Sequence, residues 1–149
     1  HTAYRRQRQM CIRDSYNGEI IAFKTARRPL FDMVGAMLRQ AFERLRPRDK
    51  PILHSDQGWQ YRMPIYRRVL NERAVKPSMS RKGNCYDNAA MESFFGTLKS
   101  EFFYLNKFNS LDELEAGIED YIHYYNHSRI RLKLSGLSPV EYRTQARRA

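Results

Sequence analysis

The chain has 149 residues, of which 27 are Lys or Arg and 16 are Asp or Glu, so its net charge is +11 at pH 7. Apolar residues make up 42% of it and aromatic residues 13%, which excludes a disordered basic tail. It has no apolar run suited to a membrane span or a signal peptide, and its cysteines lack the spacing of a zinc site or a disulfide framework. This composition predicts one basic, globular domain in the cytosol with a polyanion as its partner. The alternative is that the basic residues only keep the surface soluble.

The start of the chain has an unusual pattern. Residues 16–19 (Tyr-Asn-Gly-Glu) predict a two-residue hairpin turn, because Asn-Gly tolerates the positive φ of a type I′ turn, and residues 20–23 predict the outgoing strand. Residues 5–15 are mostly polar and offer a poor incoming strand. We therefore interpret residues 1–15 as a non-native leader and residues 16–149 as the natural domain.

Helices and strands alternate after the hairpin, which predicts an α/β fold. Apolar spacing predicts two strands, at Pro51–Ser55 and at Val75–Met79. It also predicts a helix from Phe31 that ends before Pro47, a helix that opens at Pro64 and a helix from about Ala89 through Leu105. Capping residues predict two more helices, one capped by Ser110 with Glu113 and a short one that opens at Pro139.

Two carboxylates are the candidate catalytic and metal-ligating residues. Asp56 comes directly after a strand, where open α/β sheets present functional groups, and Glu92 lies near the start of a long helix. The intervening 35 residues are enough for a helix and a strand that bring the two together. Carboxylate oxygens suit Mg²⁺, and two such ions promote phosphoryl displacement. The alternative is that Asp56 caps a turn and Glu92 complements the helix dipole.

Nearby residues suggest nucleic-acid contacts. Lys99 follows Glu92 by two helical turns and falls on the same face, where it can hold a phosphate. Gly96 lies between them and weakens the helix unless a backbone approaches closely, either of DNA or of a packed helix. The basic pair Arg81 and Lys82 is a further candidate DNA contact.

Aromatic residues and histidines near these positions can be structural and need not belong to a functional site. Trp59 and Tyr61 either stack on unpaired bases or pack in the core. His54, His123 and His127 have no spacing typical of a zinc site, so we interpret them as structural.

Three segments, HSDQGWQY, SMSRKGNCYDNAAMESFFGTLKSE and YYNHSRIRLKLSGLSPVEYR, carry a family resemblance. Between Tyr16 and about Arg143 the chain resembles the retroviral-integrase-like catalytic core of bacterial transposases from the insertion-sequence-three group. The resemblance implies a ribonuclease-H-like mixed sheet with flanking helices. It also implies a polynucleotidyl transferase that uses two Mg²⁺ ions, or Mn²⁺ in their place, to cleave transposon ends and join them to target DNA as a homo-multimer at the bacterial nucleoid.

By this resemblance Asp56 is the second acid of a catalytic triad, Glu92 is the third, and Lys99 contacts the DNA end. The family's first acid lies on the first strand of the sheet, well before the hairpin turn. Asp14 is the only acid upstream of that turn here, and we expect it at the hairpin tip. We therefore expect a core that lacks its first strands and is inactive as written. The alternatives are a non-catalytic DNA-binding remnant and a structure-specific nuclease.

Overall fold

The computed structural model describes residues 8–26, 31–81 and 89–148, and all structural statements concern these residues. The strands are β1 (Arg8–Arg13), β2 (Ile20–Ala26), β3 (Ile52–Ser55) and β4 (Lys76–Met79). The helices are α1 (Phe31–Phe42), α2 (Pro64–Glu72), α3 (Ala89–Leu98), α4 (Leu111–His127) and α5 (Pro139–Arg148). The predicted α/β class is confirmed.

The described strands form two separate two-stranded sheets. β1 pairs antiparallel with β2, and β3 pairs parallel with β4. For the described part of residues 5–15, the expectation of a poor strand was wrong: residues 8–13 form β1, because Met10 and Ile12 pack against the hydrophobic core. That residues 1–15 are a non-native leader stays a prediction.

The hairpin turn is longer than the predicted two residues. The amide of Asp14 donates to the carbonyl of Glu19 at 2.8 Å, so this hydrogen bond closes a turn of four residues, 15–18. Gly18 alone among them has a positive φ, at +78°. The Asn17 side chain is buried and donates to the carbonyl of Pro139 at 2.8 Å, so tertiary packing overrides the local type I′ preference.

The core of the described residues has three parts, the smallest of which contains Phe103, Leu114 and Ile118. The largest part joins the buried face of α1 to α2, and its buried members are Ala22, Val34, Met37, Leu38, Ala41, Phe42, Tyr66, Leu70 and Val75. The second part joins the hairpin to α3 and α4 through Ile20, Phe94, Leu98, Tyr121 and Tyr125. The Asn126 side chain also bonds both backbone groups of Ile20, at 2.8 and 2.9 Å, which anchors α4 to β2.

The helix predicted through Leu105 changes form before it ends. α3 stops at Leu98, and a π-helical segment follows at Lys99–Phe103, closed by a hydrogen bond from Tyr104 N to Lys99 O at 2.9 Å. The wider turn shifts the register, so Phe103 is buried and Leu105 is exposed, contrary to the predicted inward position of Leu105. None of the described helices has the length and apolar character needed to cross a membrane.

Candidate active site

A groove of about 1800 Å³ lies between the two sheets and contains both candidate catalytic residues. Its walls are the β1 segment 10–13, the β3 segment 52–55 and parts of α1 and α3. Asp56 and Glu92 line this same groove, although 35 residues separate them in the sequence. Both predicted carboxylates therefore line one groove, and their role as catalytic and metal-ligating residues stays a prediction.

Asp56 occupies the first position after β3, and its side chain is exposed. Its Oδ1 accepts a hydrogen bond from the amide of Gly58 at 2.7 Å, which holds the carboxylate over the turn. A Cβ at Gly58 would lie 2.9 Å from that same oxygen. The glycine in the Asp-Gln-Gly sequence therefore leaves room for the carboxylate in this orientation.

The strand end before Asp56 is fixed to β4 through Ser80. The Ser80 amide donates to the carbonyl of Ser55 at 2.8 Å, and its hydroxyl lies 3.0 Å from Nε2 of His54. The Gln57 side chain donates to the Ser80 carbonyl at 3.0 Å. His54 thus has a structural role, as predicted, whereas Ser80 and Gln57 were not singled out because their pairing depends on the parallel register.

Glu92 is exposed in the first turn of α3, where a negative charge complements the helix dipole. Arg13 holds the start of this helix: its Nη1 donates to the carbonyl of Ala90, and its Nε donates to the carbonyl of Gly18 at 3.2 Å. Burial lowers the pKa of Arg13 from its usual value. Sequence reasoning missed this residue, because a single Arg in a segment interpreted as a leader carries no recognisable pattern.

Three other carboxylates line the groove and are used in ion pairs. One of them, Asp49, pairs with Arg46. Asp14 lies at the hairpin turn, as expected, and pairs with Arg143. Glu19 is buried, pairs with Arg44 at 2.8 Å and lies 3.7 Å from Arg143. Within the described ranges, no three His, Cys, Asp or Glu side chains are grouped closely enough to hold a metal ion. Asp56 and Glu92 are thus a pair without a described third ligand.

Two of the three candidate DNA contacts do not line this groove. Lys99 begins the π-helical segment after α3, and Arg81 follows β4, but neither lines the groove. Lys82 lies outside the described residues. The groove instead has other cations at its rim, including Lys50, Arg131, Lys133 and Arg147. Sequence reasoning noted these as basic residues without assigning them to a site.

Of the two aromatic residues after Asp56, one is exposed enough to stack on a base and the other packs against the protein. Trp59 is 53% exposed, so it is available to a ligand. Tyr61 packs edge-on against Tyr66, with ring centroids 5.4 Å apart, and lines the groove. Burial, with a smaller contribution from the charge of Asp56, raises the pKa of Tyr61. Trp59 alone therefore remains a candidate for stacking.

Gly96 lies on an open part of α3. No described atom is within 4 Å of the position that a Cβ would take there. Among the described residues no helix packs against Gly96, and approach by DNA at this position stays a prediction.

Comparison with known proteins places these features in a family. The integrase core domain family matches residues 3–85 and again residues 92–146. The chain is 56% identical over 132 residues to the InsK protein of insertion sequence element IS150 from Escherichia coli K12, whose name describes it as a transposase. It is 35% identical over 131 residues to the transposase InsF of insertion sequence IS3A from the same organism.

These matches cover most of this chain but only part of each relative. The InsK match spans 89% of the chain and 47% of InsK, and the InsF match spans 87% and 45%. The fold is similar to the catalytic core domain of BIV integrase, with a TM-score of 0.71 at 14% identity over 94% of this chain and 87% of the other. It is also similar to the HTLV-2 integrase catalytic core domain, solved in complex with magnesium, with a TM-score of 0.67 at 15% identity over 87% and 80%.

Proposed function

Because this chain belongs to the integrase core domain family, in the insertion-sequence-three group of transposases, we propose that it derives from a polynucleotidyl transferase that cleaves transposon ends and joins them to target DNA. The observation that supports this most directly is that Asp56 and Glu92 share one groove. Neither carboxylate is used in an ion pair among the described residues, unlike Asp14 and Glu19 beside them.

The donor set fits Mg²⁺, or Mn²⁺ in its place. Asp56 and Glu92 offer carboxylate oxygens at exposed positions, which leaves space for the water ligands that Mg²⁺ retains. Two bound ions would activate the attacking oxygen and stabilise the leaving oxygen of a phosphoryl displacement. The Gly58 amide orients Asp56, and the Arg13 contact to Ala90 fixes the helix that carries Glu92.

In this proposal, basic side chains and one aromatic ring contact the DNA. Lys99, Arg81 and Lys82 neutralise backbone phosphates, and Trp59 offers an exposed ring for an unpaired base. The transposon ends and the target are the proposed DNA partners. Assembly as a homo-multimer on DNA, at the bacterial nucleoid, belongs to the same proposal.

We further propose that this chain does not catalyse strand transfer as it stands. Asp14 is bound to Arg143 at the hairpin turn, so it does not serve as a third ligand, and no other described acid joins Asp56 and Glu92. The second candidate function is therefore that of a non-catalytic DNA-binding remnant. The net charge of +11 and the basic rim of the groove favour it.

One assay separates these functions. The chain is mixed with a prenicked DNA duplex and Mg²⁺, and both binding and product formation are followed between low and physiological salt. DNA binding that falls steeply with salt and yields no cleaved or joined product supports a remnant. Hydrolysed strands without joining indicate a nuclease, and joined strands contradict the proposed inactivity. Asp56→Asn and Glu92→Gln should leave DNA binding intact, as should Asp32→Asn, a control acid in the first turn of α1.

A further inference from the structure

Two histidines lie side by side on the exposed face of α4. His123 and His127 are four residues apart and both are exposed, whereas the other face of the helix packs against the core through Tyr121 and Tyr125. The two imidazole rings have centroids 4.4 Å apart and planes inclined by 30°. Neither ring belongs to the core, so the structural role expected from the sequence is not a packing role. The helix thus holds two imidazoles together at the surface.

The ring nitrogens of this pair are accessible to a ligand. In the described part of the chain, neither the His123 ring nor the His127 ring takes part in a hydrogen bond or an ion pair. His54 differs from them, because each of its ring nitrogens lies 3.0 Å from a serine hydroxyl. The fold therefore uses both nitrogens of His54, whereas it leaves those of the α4 pair facing solvent.

The spacing of the pair suits a transition-metal ion. Residues four apart lie on one face of a helix, and two histidines at this spacing are a known arrangement of zinc ligands. Two nitrogens on one ion lie about 3 Å apart, because each zinc–nitrogen bond is about 2.0–2.1 Å long. Rings with centroids 4.4 Å apart reach this separation by rotation of their exposed side chains. Imidazole suits Zn²⁺, Ni²⁺ and Cu²⁺, whereas Mg²⁺ and Mn²⁺ favour oxygen ligands.

The charges along α4 also favour a cation at this position. His127 lies in the last turn of the helix, where the helix dipole places partial negative charge. Glu119 is exposed one turn before His123 and adds a negative charge on the same side. The nearest basic residue along the chain is Arg129, whose Nη2 is bound to Oε1 of Glu101 at 2.7 Å. This end of α4 therefore suits a cation, although the chain as a whole is basic.

We propose that His123 and His127 together bind one divalent transition-metal ion of the class of Zn²⁺, Ni²⁺ and Cu²⁺. The two imidazoles are the protein ligands, and water completes the coordination, because within the described ranges no third His, Cys, Asp or Glu is grouped with them. Neither histidine lines the groove, so this site is separate from Asp56 and Glu92 and takes a different class of metal. The inference does not depend on the proposed DNA chemistry.

Calorimetric titration of the full chain with Ni²⁺ tests the site by difference. We expect the unmodified chain to bind one ion more than the double variant His123→Gln/His127→Gln. His54→Gln is the matched control and should bind as many ions as the unmodified chain. Both substituted positions of the double variant are exposed, so its circular dichroism spectrum should be unchanged. Equal numbers of ions on the unmodified chain and the double variant would overturn the inference.

Paramagnetic broadening by Cu²⁺ locates the ion. We expect the amide signals of residues 120–128 to broaden in the unmodified chain. Either single variant, His123→Gln or His127→Gln, should require at least about tenfold more Cu²⁺ for the same broadening, because it removes one of two ligands. No broadening in this segment, or the same broadening in both single variants, would overturn the inference. A Cu²⁺-dependent dimer with one ion per two chains would also overturn it, because the two histidines of one chain would then not share an ion.

Discussion

Among the five described carboxylates that line the groove, two pairs have different surroundings. Asp14 and Glu19 at the hairpin turn are bound by arginines, and Glu19 is only 4% exposed. Asp56 and Glu92 are exposed, and among the described residues neither forms an ion pair. The first pair holds the hairpin against the helices, whereas the second pair leaves its oxygens open to solvent. Sharing a groove is therefore not enough to identify a catalytic acid; its partners must also be known.

Removing a carboxylate should affect stability strongly at the hairpin and weakly at the candidate site. Glu19→Ala leaves Arg44 and Arg143 without their buried partner, and breaking such a pair is strongly destabilising. Since Arg44 is 47% exposed, we expect a loss of about 2 kcal/mol in the free energy of unfolding. Asp56→Ala should lose less than about 1 kcal/mol. Urea unfolding measures both free energies of unfolding. Equal losses for the two variants would contradict the expectation that Glu19 is structural and Asp56 is not.

Two helix glycines differ in the same way, because one is closely packed and the other has no described neighbour at its Cβ position. A Cβ at Gly117 would lie 2.6 Å from the Phe102 ring, so Gly117→Ala should destabilise the protein by about 2 kcal/mol through overpacking. A Cβ at Gly96 would meet no described atom within 4 Å, so Gly96→Ala should stabilise the helix by up to about 1 kcal/mol. Thermal unfolding checks both signs. If DNA approaches α3 at this position, Gly96→Ala should also weaken DNA binding, and unchanged binding would argue against that approach.

The turn that follows β3 offers a smaller test of the candidate site. In Gly58→Ala the added methyl group meets Asp56 Oδ1 at 2.9 Å, so the carboxylate must move. The backbone at Gly58 has a φ of −54°, which alanine adopts without strain, so stability should change little. We expect Mn²⁺ binding to weaken by about threefold, or about 0.6 kcal/mol. Calorimetric titration measures this, and unchanged affinity would show that the orientation of Asp56 is unimportant.

The smallest expected effect is at an ion pair far from the groove. Hydrogen bonds from Arg129 lower the pKa of Glu101, with Nη2 and Oε1 2.7 Å apart. The folded state therefore favours the ionised carboxylate, and this stabilisation is present above the usual pKa of Glu and is lost as the pH falls through the lowered value. Because the Glu101 side chain is 35% exposed, Glu101→Gln should lose only about 0.5 kcal/mol at pH 7. Unfolding curves at pH 7 and pH 3 should show this difference disappear at the lower pH.

Local patterns predicted most elements of the fold. The short helix predicted to open at Pro139 begins with a capping box, in which the backbone amides of Ser138 and Glu141 each donate to the other residue's side chain. The placement of Asp56 after a strand and of Glu92 in the first turn of a helix was also predicted correctly. These features depend on hydrogen bonds and apolar contacts between residues close in sequence, which the sequence displays directly.

Long-range contacts account for what the sequence did not predict. β1 is stabilised because Met10 and Ile12 pack against a core formed by helices distant in the sequence. The four-residue turn is stabilised because the Asn17 side chain donates a hydrogen bond to the carbonyl of Pro139. The π-helical segment shifts the register so that Leu105 is exposed, whereas the α-helical period of 3.6 residues predicted that it faces inward. Arg13 contributes to the site through the carbonyl of Ala90, 77 residues away, and carries no motif.

We propose that Asp56 and Glu92 form one metal-binding surface. Nuclear magnetic resonance with Mn²⁺ tests it directly, because the ion broadens the signals of nearby amides. We predict that residues 55–58 and 90–94 broaden together at low Mn²⁺, and that Asp56→Asn reduces the broadening in both segments while Asp32→Asn does not. Broadening confined to one segment, or concentrated on the acidic residues 112–120 of α4, would contradict the account.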